Sequence, residues 1–284
     1  MSNKLSHIIV LKPGITSIQD SGRFGFLSEG IPVAGFMDRI SAGLANGLVG
    51  NKPGAALIEW AILAPKLQFK DVTTIALTGV EVKAFVNNKE VFLNKKISIP
   101  KNGILSFGKV TKGIYGYVAI EKGIKTTKVL GSRSWYPNIT ENTFFNKEVK
   151  IPFVSSLSIN NSNVRLKTSF HAEGQVTLNV FKGPEFDLLT KSQKELLFNT
   201  TFSTGIQRDR MGVQLIPEFN IHTYSILSSP TLSGTVQWTS SGKLIVLSSN
   251  AQTIGGYPRI LQLSKGSVSE LSQLNGLFKF NLIN

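Results

Sequence analysis

The feature that most narrows the fold is the rhythm of residues 57–120. Eight short runs of β-forming residues follow one another there, at 57–60, 66–69, 74–77, 81–86, 90–92, 97–99, 104–107 and 115–120. Turn signals separate them, and none sustains a helical period over the ten or more residues a helix needs. Short strands at close spacing point to a sandwich or barrel. Asn87-Asn88 reads as a hairpin turn, since asparagine tolerates the left-handed backbone such turns require. A further strand reads at 7–11. The second half carries more at 176–181, 202–206, 242–247 and 278–282. Between the halves, residues 138–175 are weakly patterned, and Asn160-Asn161-Ser162-Asn163 is the most linker-like point. The division is placed there, giving two β-rich units, 1–160 and 161–284.

Helices are few. Asp38 suits an N-cap, and Ile40, Leu44 and Leu48 fall on one face, with Gly50 as the stop. Ala42, Gly43, Ala45 and Gly47 thin that helix, and close packing on a sheet would offset the cost of its glycines. Asn46 reads as an amide that satisfies backbone groups. Residues 186–198 form a second helix. Ser267 with Glu270 reads as a capping box for a short one through Leu274.

Composition removes several function classes. The 284 residues are 41% hydrophobic and 17% charged, which is globular rather than disordered. No apolar stretch approaches bilayer length, and the short run Ile8-Ile9-Val10-Leu11 lacks the features of a signal peptide. The chain reads as soluble and cytoplasmic, with no membrane partner. Without cysteine there is no disulfide, thiolate metal site or thiol nucleophile. His7, His171 and His222 lack ligand spacing and read as surface or strand histidines, so no metal is expected. The net charge of +14 favours anionic partners. Its lysines are scattered and no nucleic-acid-binding motif accompanies them, so nucleic acid is not expected. Neither the phosphate-binding lysine motif nor Gly-x-Gly-x-x-Gly occurs, so nucleotide chemistry would not rest on this chain alone.

Four stretches carry candidate chemistry. The strand 242–247 runs into Ser248-Ser249-Asn250-Ala251-Gln252-Thr253-Ile254-Gly255-Gly256-Tyr257-Pro258-Arg259. Paired glycines permit unusual backbone angles and close approach, so this reads either as a holding loop or as a glycine turn between strands. Gln19, Asp20 and Arg23 sit beside Gly22 and Gly25. They could orient a carboxylate or amide through the planar fork of arginine, or form an ion pair that fixes the turn. Glu59 is an acid inside an apolar strand and would need a partner or a raised pKa. Gln207-Arg208-Asp209-Arg210-Met211-Gly212 reads as a salt-bridged turn or an anion grip.

Taken in order, these motifs resemble the family of the 5-oxoprolinase C subunit, also called biotin-dependent carboxyltransferase-like or urea amidolyase-related. That family includes antagonists of a sporulation kinase inhibitor. The resemblance rests on Ile18-Gln19-Asp20-Ser21-Gly22-Arg23-Phe24-Gly25, Gly30-Ile31-Pro32, Met37-Asp38, Ala45-Asn46-Gly47-Leu48-Val49-Gly50-Asn51 and Leu57-Ile58-Glu59. Gly131-Ser132-Arg133-Ser134, Gly183-Pro184, Asp209-Arg210-Met211-Gly212, Gly234-Thr235-Val236-Gln237 and Gln252-Thr253-Ile254-Gly255-Gly256-Tyr257-Pro258 continue it. The sequence departs from the pattern where Asn250-Ala251 replace an acid and an arginine, and where Trp238-Thr239 replace valine-proline. A glycine- and arginine-rich segment is also missing after Arg133.

The resemblance implies a mainly β fold of two cyclophilin-like β-barrel units with a few short helices. It implies one member of a hetero-oligomer, working with homologues of the A and B subunits of 5-oxoprolinase, that opens 5-oxoproline to glutamate with ATP. The ATP belongs to the complex and is not clearly bound by this chain. Asp20 and Arg23 are then the catalytic candidates, Asp20 for proton transfer and Arg23 or Arg210 for a carboxylate or developing negative charge. Gln19, Arg210, Gln237, Thr253, Gly255, Gly256 and Tyr257 are the substrate-binding candidates for a small amide or lactam. The first-unit residues would face those of the second. One alternative is the carboxyltransferase component of a biotin-dependent amide or urea carboxylase, with biotin carried by another protein. Another is a non-enzymatic regulator that binds a kinase inhibitor resembling the 5-oxoprolinase B subunit.

Overall fold

The computed structural model describes residues 4–155 and 175–283. The chain divides into two compact units, Met1–Arg23 with Ala34–Phe170 and Phe24–Val33 with His171–Asn284. The expected boundary at 160/161, the Asn160-to-Asn163 stretch and His171 lie outside the described residues.

Unit 1 contains β1 (Leu5–Lys12), β2 (Thr16–Gln19), α1 (Arg39–Leu48), β3 (Leu57–Ala61), β4 (Lys66–Phe69), β5 (Thr73–Thr78), β6 (Glu81–Val86), β7 (Lys89–Val91), β8 (Lys96–Ile99), β9 (Ile104–Lys112), β10 (Tyr115–Ile120) and β11 (Lys150–Val154). They form a six-stranded sheet, β11-β1-β4-β9-β6-β7, and a five-stranded sheet, β2-β3-β10-β5-β8. One core joins the sheets, with Ile8, Leu67, Phe69 and Phe153 from the first and Ile18, Ile58, Trp60, Ile75 and Val118 from the second. The opposite face of the five-stranded sheet packs under α1, where Ala42, Ala45 and Val49 meet Leu57, Ala76, Tyr117 and Ala119. That sheet is therefore covered on both sides, and β2, β5 and β10 are buried at every position.

The mainly β expectation holds; the strands of unit 1 pair as two sheets, with Ile124 bridging to Phe153 on the outer side of β11. The hairpin at Asn87-Asn88 is as expected. Both residues have positive φ, 49° and 64°, and Val86 pairs with Lys89. Asp38 caps α1, accepting from the Ile40 and Ser41 amides, and Gly50 follows the helix at φ 76°. Asn46 is buried and donates to the Pro53 and Ala55 carbonyls, as a backbone-satisfying amide should. The glycines of α1 are a correction. A methyl added at Gly43 or Gly47 would meet nothing within 4 Å, so Ala42 and Ala45, not the glycines, make the tight contact.

Unit 2 contains β12 (Val176–Lys182), α2 (Lys191–Asn199), β13 (Phe202–Arg208), β14 (Gly212–Ile216), β15 (Ser229–Pro230), β16 (Thr235–Trp238), β17 (Leu244–Leu247), β18 (Ile254–Gly255), β19 (Arg259–Leu263), α3 (Lys265–Gln273) and β20 (Leu277–Leu282). Seven strands close a barrel in the order β12-β19-β16-β17-β14-β13-β20, and parallel pairing of β12 with β20 completes the ring. Its core gathers Leu178, Phe202, Val236, Trp238, Leu261 and Phe278. The helix expected at 186–198 is a 3-10 turn at Phe186–Leu188 followed by α2, whose capping box is Thr190 with Gln193. The capping box expected at Ser267 is displaced. Ser264 caps α3, accepting from the Ser267 amide, because the helix begins directly after β19.

Candidate functional site

In unit 1 the polar residues at the end of β2 gather around Asp20. Its Oδ1 accepts from the Gly22 amide at 2.9 Å, Ser132 Oγ at 2.6 Å and Ser134 Oγ at 2.7 Å. Its Oδ2 accepts from the Arg133 amide at 2.6 Å. The Asp20 amide in turn donates to Ser134 Oγ at 3.0 Å. A buried carboxylate with this many donors is a fixed hub, and it ties the turn after β2 to residues more than a hundred positions away. Gly35, at φ 88°, packs so closely on the Asp20 carbonyl that a side chain there would displace it, and the Phe36 amide donates to that carbonyl.

Arg23 is buried at 1% exposure and donates through Nη2 to the Ser134 carbonyl. Its Nε and Nη1 have no hydrogen-bond partner. Among the described residues Arg23 and Asp20 form no ion pair, so the turn is not fixed in that way. Burial pulls the Arg23 guanidinium below its ordinary value, and the nearby Asp20 carboxylate opposes that shift. Gln19, equally buried, donates through Nε2 to Ser17 Oγ at 3.0 Å and to the Trp135 carbonyl at 3.3 Å, while its Oε1 has no partner. The expectation that Gln19, Asp20 and Arg23 gather is met. Ser132, Arg133 and Ser134 join them, although the sequence does not single them out as site residues. Their signal is the Gly131-Ser132-Arg133-Ser134 motif, two small hydroxyls around a cation, but nothing local shows that it reaches Asp20.

Glu59 has the partners its position demands. Its Oε2 accepts from the Met37 amide at 2.8 Å, and Tyr117 hydrogen-bonds to it. The Tyr117 hydroxyl also accepts from the Asp38 amide at 2.7 Å. Burial, then the Glu59 and Asp38 charges, push the Tyr117 hydroxyl well above the usual phenol range. This network pins residues 37–38 ahead of α1, on the sheet face that α1 covers.

In unit 2 the candidate residues form a looser group. Gln237 on β16 is buried, and its Oε1 accepts from Gln252 Nε2 at 3.1 Å. Thr231 donates its amide to the Thr253 carbonyl at 2.9 Å and its hydroxyl to the Gln252 carbonyl. Gly255 lies where any Cβ would collide with the Gln237 amide, so close approach is the reason for glycine there. Neither Gly255 nor Gly256 uses a positive φ, which corrects the expectation of unusual backbone angles. Gly256 has ordinary space around it, and Tyr257 is half exposed. Arg210 joins the same loop through Asn250, to whose Oδ1 it donates at 3.0 Å. In the 207–212 turn Asp209 accepts from the Met211 and Gly212 amides. Arg208 points elsewhere, donating to the Leu271, Ser272 and Leu274 carbonyls at the end of α3. Arg259, just past the Tyr257-Pro258 pair, makes a two-armed ion pair with Glu185, at 2.9 Å from Nε and 2.7 Å from Nη2. His222 packs on the Trp238 ring, with centroids 4.0 Å apart.

With both clusters described, comparison with known proteins places the chain. The family model for the carboxyltransferase domain, subdomains A and B, matches residues 29–280. The chain belongs to this family. Among carboxyltransferase-domain relatives, the C subunit of 5-oxoprolinase from Escherichia coli is 27% identical over 278 residues, covering 93% of this chain and 87% of that protein. Urea amidolyase of Lachancea kluyveri is 39% identical over 129 residues, 45% of this chain and 7% of that protein. The solved structure of TTHA0988 superposes with a TM-score of 0.83 at 25% identity, over 99% of this chain and 56% of that one. K. lactis urea amidolyase superposes with a TM-score of 0.83 at 26% identity, over all of this chain and 19% of that one. The chain thus spans most of the length of one relative and only part of the solved ones.

Proposed function

We propose that this chain is the C component of an ATP-dependent 5-oxoprolinase complex that opens 5-oxoproline to glutamate. The near full-length likeness to the C subunit of 5-oxoprolinase carries the reading. The two polar clusters support it, because both offer amides and guanidinium groups suited to a small polar amide rather than to a metal or thiol mechanism. Arg23 supplies positive charge for a carboxylate. Gln237, with Thr253, Gly255, Gly256 and Tyr257 around it, offers an amide and a close backbone to a ligand, and Arg210 braces that loop through Asn250. Asp20 takes a role different from the proton transfer expected of it. Three donors converge on its Oδ1 and one meets its Oδ2, and together they hold the carboxylate in one orientation. Asp20 therefore acts as a positioning residue.

Among the described residues no helix N-terminus stands out as a cradle for the phosphates of ATP. Helix N-termini are a common cradle, and those of α1, α2 and α3 each spend one or two amides on a side-chain cap, from Asp38, Thr190 and Ser264. ATP binding is assigned to the A and B partners of the complex. The test is reconstitution: the chain with both homologues should release glutamate from 5-oxoproline with ATP, and omitting the chain should stop it. A stable complex with no release would reject the substrate.

One observation favours a second reading. Over 129 residues the identity to urea amidolyase, 39%, exceeds that to the 5-oxoprolinase component over its longer match. A carboxyl transfer to an amide nitrogen, with biotin on another protein, would show as a copurifying biotinylated partner and as bicarbonate carbon fixed into the amide.

A further inference from the structure

We propose that Arg23 and Gln19 form a receptor for a carboxylate that carries an N–H donor close beside it. The inference rests on reading the unit 1 cluster as a ligand site, and it names what that site selects. Arg23 has five N–H donors in a plane. The Ser134 carbonyl takes one from Nη2, and the structure gives Nε and Nη1 no partner. Whichever Nη2 hydrogen is used, the other still pairs with Nε or with Nη1. One flat edge of the guanidinium is therefore left to grip two coplanar oxygens.

Gln19 supplies the opposite polarity. A carbonyl can only accept, so the contact with the Trp135 carbonyl fixes Nε2 on that side and leaves Oε1 as the unpaired atom. Gln237 offers no such certainty, because its amide contact is with the Gln252 side chain, and turning both amides over preserves the bond. Arg23 and Gln19 hang on consecutive carbonyls, Ser134 and Trp135, and Asp20 locks that stretch through Ser132, Arg133 and Ser134. Buried donors and acceptors are rarely left unpaired in folded proteins. The group that would pair all of them is an anion with two oxygens in one plane and an adjacent N–H. In 5-oxoproline the carboxylate sits on the carbon next to the ring N–H, and an N-carboxylated amide has the same pairing.

The test is calorimetric titration of the full chain, and of the reconstituted complex, with three probes. 5-Oxoproline has both features, 3-oxocyclopentanecarboxylate keeps the ring carbonyl and carboxylate but lacks the N–H, and 2-pyrrolidinone lacks the carboxylate. 5-Oxoproline should bind about tenfold or more tightly than either analogue. Arg23→Lys keeps the charge but not the flat edge, and should weaken 5-oxoproline about tenfold while leaving 2-pyrrolidinone unchanged. Gln19→Met should weaken 5-oxoproline and spare 3-oxocyclopentanecarboxylate. Equal binding of all three probes to the unaltered protein, which needs no variant to fold, would overturn the receptor. A complex that turns over 5-oxoproline with its KM untouched by a folded Arg23→Lys variant would overturn it too, leaving the proposed activity in place. No turnover with Arg23-dependent binding would reject the activity and keep the receptor.

Discussion

The two polar clusters use the same kinds of group in opposite ways. In unit 1 the Asp20 carboxylate is held by four donors, and Gln19, Asp20, Arg23, Ser132 and Ser134 are all buried. In unit 2 Gln237 is buried but is fixed by one exposed glutamine, on a loop whose Gly256 and Tyr257 face solvent. The difference teaches where selectivity can come from. A group discriminates between ligands when its own orientation is settled beforehand. The unit 1 cluster meets that condition, and the unit 2 loop has the freedom to adapt.

The largest effect should come from attacking the hub. Asp20→Asn turns an acceptor-only group into one with two donors, facing four donors already in place. A loss of about 3 kcal/mol in the stability of unit 1 is expected in denaturant melts, with binding lost alongside. An Asp20→Asn protein with unchanged stability would mean that the hub is not what fixes the cluster. In unit 2 the matching brace is the Glu185–Arg259 pair, and Glu185→Gln should cost about 2 kcal/mol. The hydrogen bond from Arg259 holds the Glu185 carboxyl below its ordinary value. Its contribution is thus present above the unfolded-state value and lost as pH falls through the folded one. Melts of the parent should lose stability on the acid side more steeply than those of Glu185→Gln.

Gly255→Ala should be milder, about 1 kcal/mol or less, because the obstacle is the end of a flexible side chain. Spectroscopic readout of the Gln237 amide should shift nonetheless. The smallest effect has the opposite sign. Gly43→Ala and Gly47→Ala meet open space in a helix and should each stabilise by up to about 1 kcal/mol. Destabilisation by either would mean that a neighbour covers that face.

Strand rhythm and hairpin chemistry were legible in the sequence because each depends on neighbours only. Asn87-Asn88 is the clearest case. β11 is hidden in the sequence because Pro152 argues against a strand, yet a strand at the end of its sheet tolerates it, and β1 is β11's one strand neighbour in the sheet order. β2 does not stand out as a strand because Thr16, Ser17 and Gln19 are polar, yet all three are buried, which the local pattern does not reveal. The candidate residues Gln19, Asp20 and Arg23 were visible, while their roles were not. Ser132 and Ser134 lie 112 and 114 residues from Asp20, and only the fold shows that they occupy its carboxylate.

The most direct measurement is the nitrogen–proton spectrum of the arginine Nε–H and Nη–H groups, with Arg23 assigned by its absence in Arg23→Lys. The Arg23 Nε–H or Nη1–H, whichever borders the free edge, should exchange slowly with water, being buried, and should move downfield as 5-oxoproline is titrated but not with 2-pyrrolidinone. A resonance that exchanges rapidly, or one that stays in place through saturation, would contradict the claim that this buried edge is where the carboxylate binds.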